Sequence, residues 1–414
     1  MTVTGERMDA RLAARRRLRS AERDAVQQEH ERLLLKACLT QDARAIDAWR
    51  AWRASARRVD DLPNEQHRLV PLLHANLKAL GVTDPEVKRY AGVRRFYWIR
   101  QHAVQRGFGP VLRACVDADV RLMLLKGVAL RDLYEGSELR PTNDLDVWVH
   151  PSDFPRALEI VRDHGFEPVH HRLTSDAALR RSCTVEHAVG LRRDEDGLEV
   201  DLHARLHKAI PSTELPLYAW QRGGTTRYAG CTVRIPPMPV NLLHVAAHAH
   251  AAGGALATRA VADVAMAIRR GVLVEHLQDV IELATDARAI TPLQRVVRHA
   301  YEALGADVEE VVETAFASVE TSRSERFWWN VMLAPGGFKQ ARDVLFGYGR
   351  FREVAMKEGR GRVGVLAYLR DMVHARSRTA TVALLVRLPF RRAALTWRKR
   401  RGEAASPVHG SSRG

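Results

Sequence analysis

"LLKGVALRDLYEGSELRPTNDLDVWVH", residues 124–150, decides how this chain is read. One apolar run stops at Lys126-Gly127, and a second carries two aspartates one residue apart, Asp144 and Asp146. On a strand, residues i and i+2 share a face. Asp144 and Asp146 therefore point together, with Trp148 continuing their row, while Leu145, Val147 and Val149 pack on the other side. Like charges that close repel, and burying either is costly unless a cation sits between them. On this reading, removing Asp144 or Asp146 leaves the fold intact or slightly more stable. The pattern recurs in "LEVDLH", where Glu199, Asp201 and His203 share a face and Val200 and Leu202 anchor the strand.

Around these strands the pattern alternates. Val120 to Leu125 has strand length, and "GVALRDLYEG" reads as a helix with Leu130, Leu133 and Tyr134 toward a core. "PSDFPRALEIVRDHGF" follows as a helix capped by Ser152 and stopped by Gly165, with a short strand near Pro168 to Arg172. "TVEHAVGLRRDEDGLEVDLHARL" gives two strands joined by an acidic turn at Asp194 to Gly197. Residues 31–115 are helical; in "HRLVPLLHANLKALG" five leucines share one side and Gly81 ends the run. Beyond "IPPMP", Asn241 caps a long helix and helices continue to about residue 320. The predicted class is α+β. A small mixed-sheet module (116–210) lies between an N-terminal helical region (31–115) and a helical domain covering the site (236–330). A basic polar tail (1–30) and basic C-terminal helices with their own tail (339–414) flank them.

Composition narrows the class. Apolar content of 46% and charged content of 28% are those of an ordinary soluble protein. No run approaches the ~20 apolar residues of a membrane span, and Met1 to Ser20 lacks a signal-type stretch, so the expected location is cytoplasmic. Cys38, Cys115, Cys183 and Cys231 lie far apart in no metal-ligand spacing and read as reduced thiols. The net charge of +16 is unevenly placed: residues 339–402 hold seventeen Lys or Arg against four Asp or Glu. The basicity thus belongs to an appendage, with a kink at Pro389. Its segment Thr379 to Arg401 suits an anionic surface such as RNA or lipid headgroups, a partner protein, or packing on its own domain.

Asp144, Asp146 and Asp201 on neighbouring strands can bind a pair of divalent cations, as in phosphoryl-transfer sites, and oxygen ligands favour Mg²⁺ or Mn²⁺. Lys126 and Gly127 at a strand-to-helix turn can cradle phosphates, and Arg140 can clamp a triphosphate. His244 and His248, four apart on one helical face with His250 close by, fit a structural or substrate-positioning role. His187 and His203 flank the acidic hairpin within reach of the site. Arg259 and Asp263, also four apart, either pair on their helix or shape the roof of the cleft.

The stretch 122–150 resembles the polymerase-beta-like nucleotidyltransferase superfamily, whose core is a strand, a glycine turn, a helix and a strand with Asp-x-Asp. More closely, the chain is similar to a family of uncharacterised bacterial nucleotidyltransferases. The likeness rests on Leu125-Lys126-Gly127, Tyr134, Arg140-Pro141, Asp144-Leu145-Asp146, "VDLH" at Val200 to His203, "LLHVAAHA" and Arg259 with Asp263, over roughly residues 35–320. The superfamily's glycine turn places a small polar residue after the glycine, where this chain has Val128. The resemblance implies a Mg²⁺- or Mn²⁺-dependent nucleotidyltransferase that binds an NTP and moves its NMP to an acceptor hydroxyl. The acceptor is left open among protein, peptide, small metabolite and RNA end. The alternative is a non-catalytic nucleotide-sensing or antitoxin-like binding protein of the same fold. A nucleic-acid-binding protein working through its basic ends is a third reading, without a base-stacking series to support it.

Overall fold

A computed structural model describes residues 26–54, 58–169, 187–207, 209–210, 212, 214–251, 258–305 and 311–333, with short pieces between 348 and 372. The expected basic tail up to residue 25, the strand beyond Val169 and most of the C-terminal appendage, Pro389 included, lie outside the described residues.

Alternation of apolar and polar residues builds one mixed sheet. Its strands are β1 (Leu122–Leu124), β2 (Asp144–Val149), β3 (Glu167–Pro168), β4 (Ala188–Arg192), β5 (Glu199–His203), β6 (Gly224–Tyr228) and β7 (Cys231–Ile235). They lie in the order β3-β4-β5-β2-β1-β7-β6. The pairs β2–β5 and β1–β7 are parallel, and the other neighbours antiparallel. The sheet does not end at residue 210, as the sequence reading had it: β6 and β7 extend it, and β7 pairs directly with β1.

Leu122, Leu124, Leu145, Val147, Val149, Val200 and Leu202 form the apolar back of the sheet. Each such burial stabilises by roughly 1.5–3 kcal/mol. That face packs on a helix that does two jobs. With α1 spanning Val70–Ala79, α2 runs from Pro85 to Asp117, started by Asp84, whose side chain accepts from the Glu86 amide at 2.8 Å, and by Pro85 in the first turn. Its second half covers the sheet through Val104, Phe108, Val111 and Leu112. Its middle holds the loop before β2: Gln101 donates to the Thr142 carbonyl at 2.6 Å, and Arg100 to Asn143 Oδ1 at 3.0 Å.

After β1 comes α3 (Lys126–Ala129), and after β2 comes α4 (Phe154–Asp163). The predicted continuous helix over "GVALRDLYEG" is instead α3 followed by a 3-10 turn at Arg131–Leu133. The chain turns there because Leu130, Leu133 and Tyr134 are drawn into the core. Ser152 does not cap α4; its hydroxyl pairs with Arg121 and with Asp153, which precedes the helix. The front of the sheet, marked by Met123 and Trp148, joins a larger core with the helices α5 (Met238–Ala251), α6 (Thr258–Arg269) and α7 (Ile290–Leu304). Asn241 lies inside α5 and donates to the Pro236 carbonyl at 2.8 Å. The described cysteines Cys38, Cys115 and Cys231 are free and buried. Among the described residues no helix is long and apolar enough to cross a membrane.

The turn between β1 and α3 has no spare room. Lys126 adopts a left-handed backbone (φ 40°), and a Cβ on Gly127 would stand 1.8 Å from Thr142 Cγ2. Gly127→Ala should therefore destabilise the protein by about 1–3 kcal/mol, in the range for overpacked sites. Thermal denaturation checks this; an alanine variant melting with the wild type would show that the loop at Thr142 yields freely.

Candidate active site

Register brings the acidic residues together. In the parallel β2–β5 pair, Asp144 lies opposite Glu199, Asp146 opposite Asp201 and Trp148 opposite His203. β1 ends one step earlier: the Leu125 amide donates to the Asp146 carbonyl at 2.9 Å, so the next side chain arrives beside Asp146. Lys126 Nζ lies 2.5 Å from Asp146 Oδ1, and His203 Nε2 is 3.1 Å from the same oxygen. Asp146 is only 5% exposed. Burial opposes its ionisation, but Lys126 and then His203 outweigh it and hold the carboxyl well below the usual carboxylate range.

Asp201 shows the opposite balance. Burial and then the charge of Asp146 push its pKa up. Gly190, opposite it on β4, leaves space for its carboxylate: a Cβ there would lie 3.2 Å from Asp201 Oδ1. Glu199, by contrast, is exposed and sits 3.6 Å from Arg192. Asp146, Asp201 and His203 each offer one ligand atom within 4.8 Å of the others. Two carboxylates and one imidazole suit a divalent cation, and the charge repulsion at Asp201 is what such a cation would relieve. Asp144 is outside this group of three but lines the adjoining cavity with Asp146.

That cavity has a volume of about 420 Å³, and its walls carry Lys126, Gly127, Arg140, Arg68 and Arg259. Arg140 is buried, with Nε and Nη2 each 2.6 Å from the carboxylate of Asp263. The Tyr134 hydroxyl donates to Asp263 at 2.7 Å. One edge of the guanidinium is thus engaged through both its nitrogens, and Nη1 stays buried without a partner. It faces Gly127, whose added Cβ would lie 3.1 Å away. Arg259 does not pair with Asp263 on their helix; it donates to the Pro141 carbonyl at 2.8 Å. Val128 points away from the cavity into the core behind the sheet.

The histidines gather beside Asp146. His187 packs on His203 with ring centroids 5.1 Å apart, and His203 on His244 at 5.8 Å. His207, which the sequence reading passed over, stands 5.1 Å from His187 and 6.4 Å from His244. Its only sequence signal is its place four residues after His203. His244 is fully buried, both its ring nitrogens lack a hydrogen-bond partner, and burial followed by the charge of Lys126 pushes its pKa well below the usual histidine value. His248 lines the open cavity. His250 turns away and meets the Trp329 carbonyl at 2.9 Å.

Over residues 64–305, more than half of its length, the chain matches the family model described as uncharacterised nucleotidyltransferase. The chain belongs to that family of nucleotidyltransferases. No curated protein and no solved structure matches it.

The repulsion read from the sequence falls on Asp201, and Asp146 is a stabilising ion-pair partner. Asp146→Asn should cost about 3 kcal/mol, because it leaves Lys126 largely buried and unpaired. Asp146 has a depressed folded pKa, so its contribution is full above the unfolded value near ~4 and is lost as pH falls toward the folded one. The gap in thermal midpoint between wild type and Asp146→Asn should be constant from about pH 5 to 7 and shrink below about pH 4. Asp201 has a raised folded pKa, which costs stability as pH rises past the unfolded value. Asp201→Asn should thus melt above wild type at pH 7 without added metal. If Asp146→Asn is the more stable variant, the charge assignment is inverted.

Proposed function

We propose that this protein transfers an NMP from an NTP to an acceptor hydroxyl and releases pyrophosphate. The observation that carries the reading is the Asp146–Asp201–His203 group standing beside a cavity lined by Lys126, Arg140, Asp144 and Asp146. Asp144, Asp146 and Asp201 would hold Mg²⁺ or Mn²⁺, with His203 as a further donor to the ion at Asp201. When bound, such ions stabilise charge on the phosphoryl oxygens and lower the pKa of the acceptor hydroxyl.

Each remaining role belongs to a residue of the chain. Lys126 exchanges Asp146 for a phosphate oxygen when nucleotide enters, and the backbone of Gly127, with no side chain in the way, lets the phosphates approach closely. Arg140 offers the N–H of Nη1. A carboxylate oxygen of Asp201 takes the acceptor's proton. The acceptor oxygen attacks the α-phosphorus, a new P–O bond forms, and the bond to the bridging oxygen of pyrophosphate breaks in line. His248, on the cavity wall, positions the acceptor, and His203 and His244 pack behind it. The acceptor is a hydroxyl of a protein, a peptide, a small metabolite or an RNA end.

The test is incubation with each labelled NTP, Mg²⁺ or Mn²⁺ and a cell lysate, following label onto any species. Asp201→Ala should reduce transfer at least ~100-fold, equal to about 2.7 kcal/mol of transition-state stabilisation, while retaining much of the nucleotide affinity. Glu199→Ala, on the exposed end of the same row, should stay close to wild type. No label on any species, together with a thermal midpoint indifferent to Mg²⁺ plus NTP, would overturn the reading.

A further inference from the structure

Between Glu86 in its first turn and Asp117 at its end, α2 holds seven Lys or Arg and no acid. Lys88, Arg95, Arg106 and Arg113 follow one another at spacings of 7, 11 and 7 residues, which return to one face of a helix. All four are exposed, on the side opposite the buried Tyr97 and Gln101, and at 1.5 Å per residue their stripe runs ~37 Å. Arg94 meets Glu138, Arg89 meets Glu86, and Arg100 meets Asn143. The four cations of the stripe make no hydrogen bond or ion pair among the described residues. Large apolar side chains stand among them: Phe96, Trp98 and Ile99 are 51%, 50% and 54% exposed. The rings of Trp98 and His102 lie 4.2 Å apart, and His102 Nδ1 is 2.8 Å from the Trp98 carbonyl, so this pair is held in one orientation. Along the stripe opens a cavity of about 760 Å³ bordered by His102, Gln105, Arg106, Arg113, Asp117 and Gly230.

Folding does not require this face. Solvation is served by charges of either sign, and exposing three large apolar side chains forgoes their burial. The occupant that fits is anionic along the whole stripe and presents flat apolar faces between its charges. A second copy of α2 would bring the same positive stripe and be repelled. The ends of the chain are basic as well: residues 1–25 hold seven Arg against four acids, and residues 339–402 hold seventeen Lys or Arg against four. An acidic polypeptide supplies the charge without a ring at each repeat. An unpaired nucleic-acid strand supplies both, with a phosphate at every step and bases free to stack on aromatic rings. A duplex keeps its bases stacked inside.

We propose that the outer face of α2 binds a single-stranded nucleic acid, with phosphates on Lys88, Arg95, Arg106 and Arg113 and bases on Trp98, His102 and Phe96. The inner side of the same helix reaches the loop before β2, through Gln101 at Thr142 and Arg100 at Asn143, one residue before Asp144. A strand on the outer face lies a helix's width, ~10–12 Å, from that loop. That the end of the strand is the acceptor hydroxyl rests on the transfer reading; the binding stands by itself.

The test is fluorescence anisotropy of the full chain with labelled oligouridine, with oligodeoxythymidine of equal length, and with the oligouridine paired to its complement. Wild type should bind at least one unpaired strand saturably and the duplex more weakly; the RNA and DNA arms sort the source, and preference for either upholds the surface. Trp98→Leu keeps apolar bulk but loses the flat ring, and should weaken binding at least ~5-fold, about 1 kcal/mol. Trp98→Phe should stay within about twofold of wild type, and a loss equal to that of leucine would overturn stacking. Arg95→Gln with Arg106→Gln should lower the slope of log affinity against log salt by about 1.4, at about 0.7 for each phosphate contact. The exposed Arg156→Gln on α4 should change neither quantity. No wild-type binding overturns the proposal, as does binding that every α2 variant leaves within twofold, since the basic ends then hold the strand. Tighter binding of the duplex overturns it too, as does binding of polyglutamate or anionic vesicles with the same dependence on Trp98. Trp98-dependent binding of a strand without NMP transfer to any species would refute the transfer reading and leave this surface standing. NMP transfer by a chain that binds no strand would do the reverse.

Discussion

Asp146 is a carboxylate with almost no access to water, and the contact with Lys126 is what makes its burial tolerable. Much of the site follows from that pair. It needs β1 to end where it does, so that a lysine in a left-handed conformation reaches back over β2. It needs a glycine next, because Thr142 occupies the volume a side chain would take. With one negative charge matched in this way, the neighbouring Asp201 is left with an unrelieved repulsion, and the parallel register holds it beside Asp146. An acid that is neutralised and an acid that is not thus stand side by side on one face.

The second support is the buried Arg140–Asp263–Tyr134 group. A fork-shaped ion pair of this kind fixes orientation as well as distance. It ties the loop before β2 to α6, and Gln101 ties the same loop to α2. The acid-bearing strands are therefore framed from both sides by helices distant in sequence. The family match from residue 64 to residue 305 spans these supports as well as the strands.

What could be read from the chain beforehand was local and periodic. Two-residue alternation placed Asp144 and Asp146 on one face and Asp201 with His203 on another strand, and the register confirms that the two rows are one surface. The separation of Val128 from Lys126 was also in the letters, as an apolar residue where a polar one is usual. Long-range pairings were not legible. Nothing near Lys126 in sequence says that its ammonium meets Asp146, or that Arg259 bypasses Asp263 to hold Pro141. Arg68 reads as one more charge in a helical region until the fold turns it toward the cavity. The strands β6 and β7 did carry alternation, in "TTRY" and "CTVRI" around the turn Ala229-Gly230, but with few apolar residues on either side. Their assignment depends on β1 being present as a partner. The leucine-rich stretch after Gly127 misled in the other direction, since helical spacing there served a turn that folds into the core.

The parallel pairing of β2 with β5 has a consequence for how such a chain can diversify. In a hairpin, the separation of two side chains depends on the length of the turn between them. Here the two acid-bearing strands are joined by residues 150–198, and their spacing is set by the hydrogen-bond ladder alone. The distance between the acids therefore does not depend on the length of chain that joins them, although α4 and β4 within it remain bound to the core and to β5. A hairpin would have tied the spacing of its acids to a turn; the ladder between β2 and β5 ties it to backbone pairing.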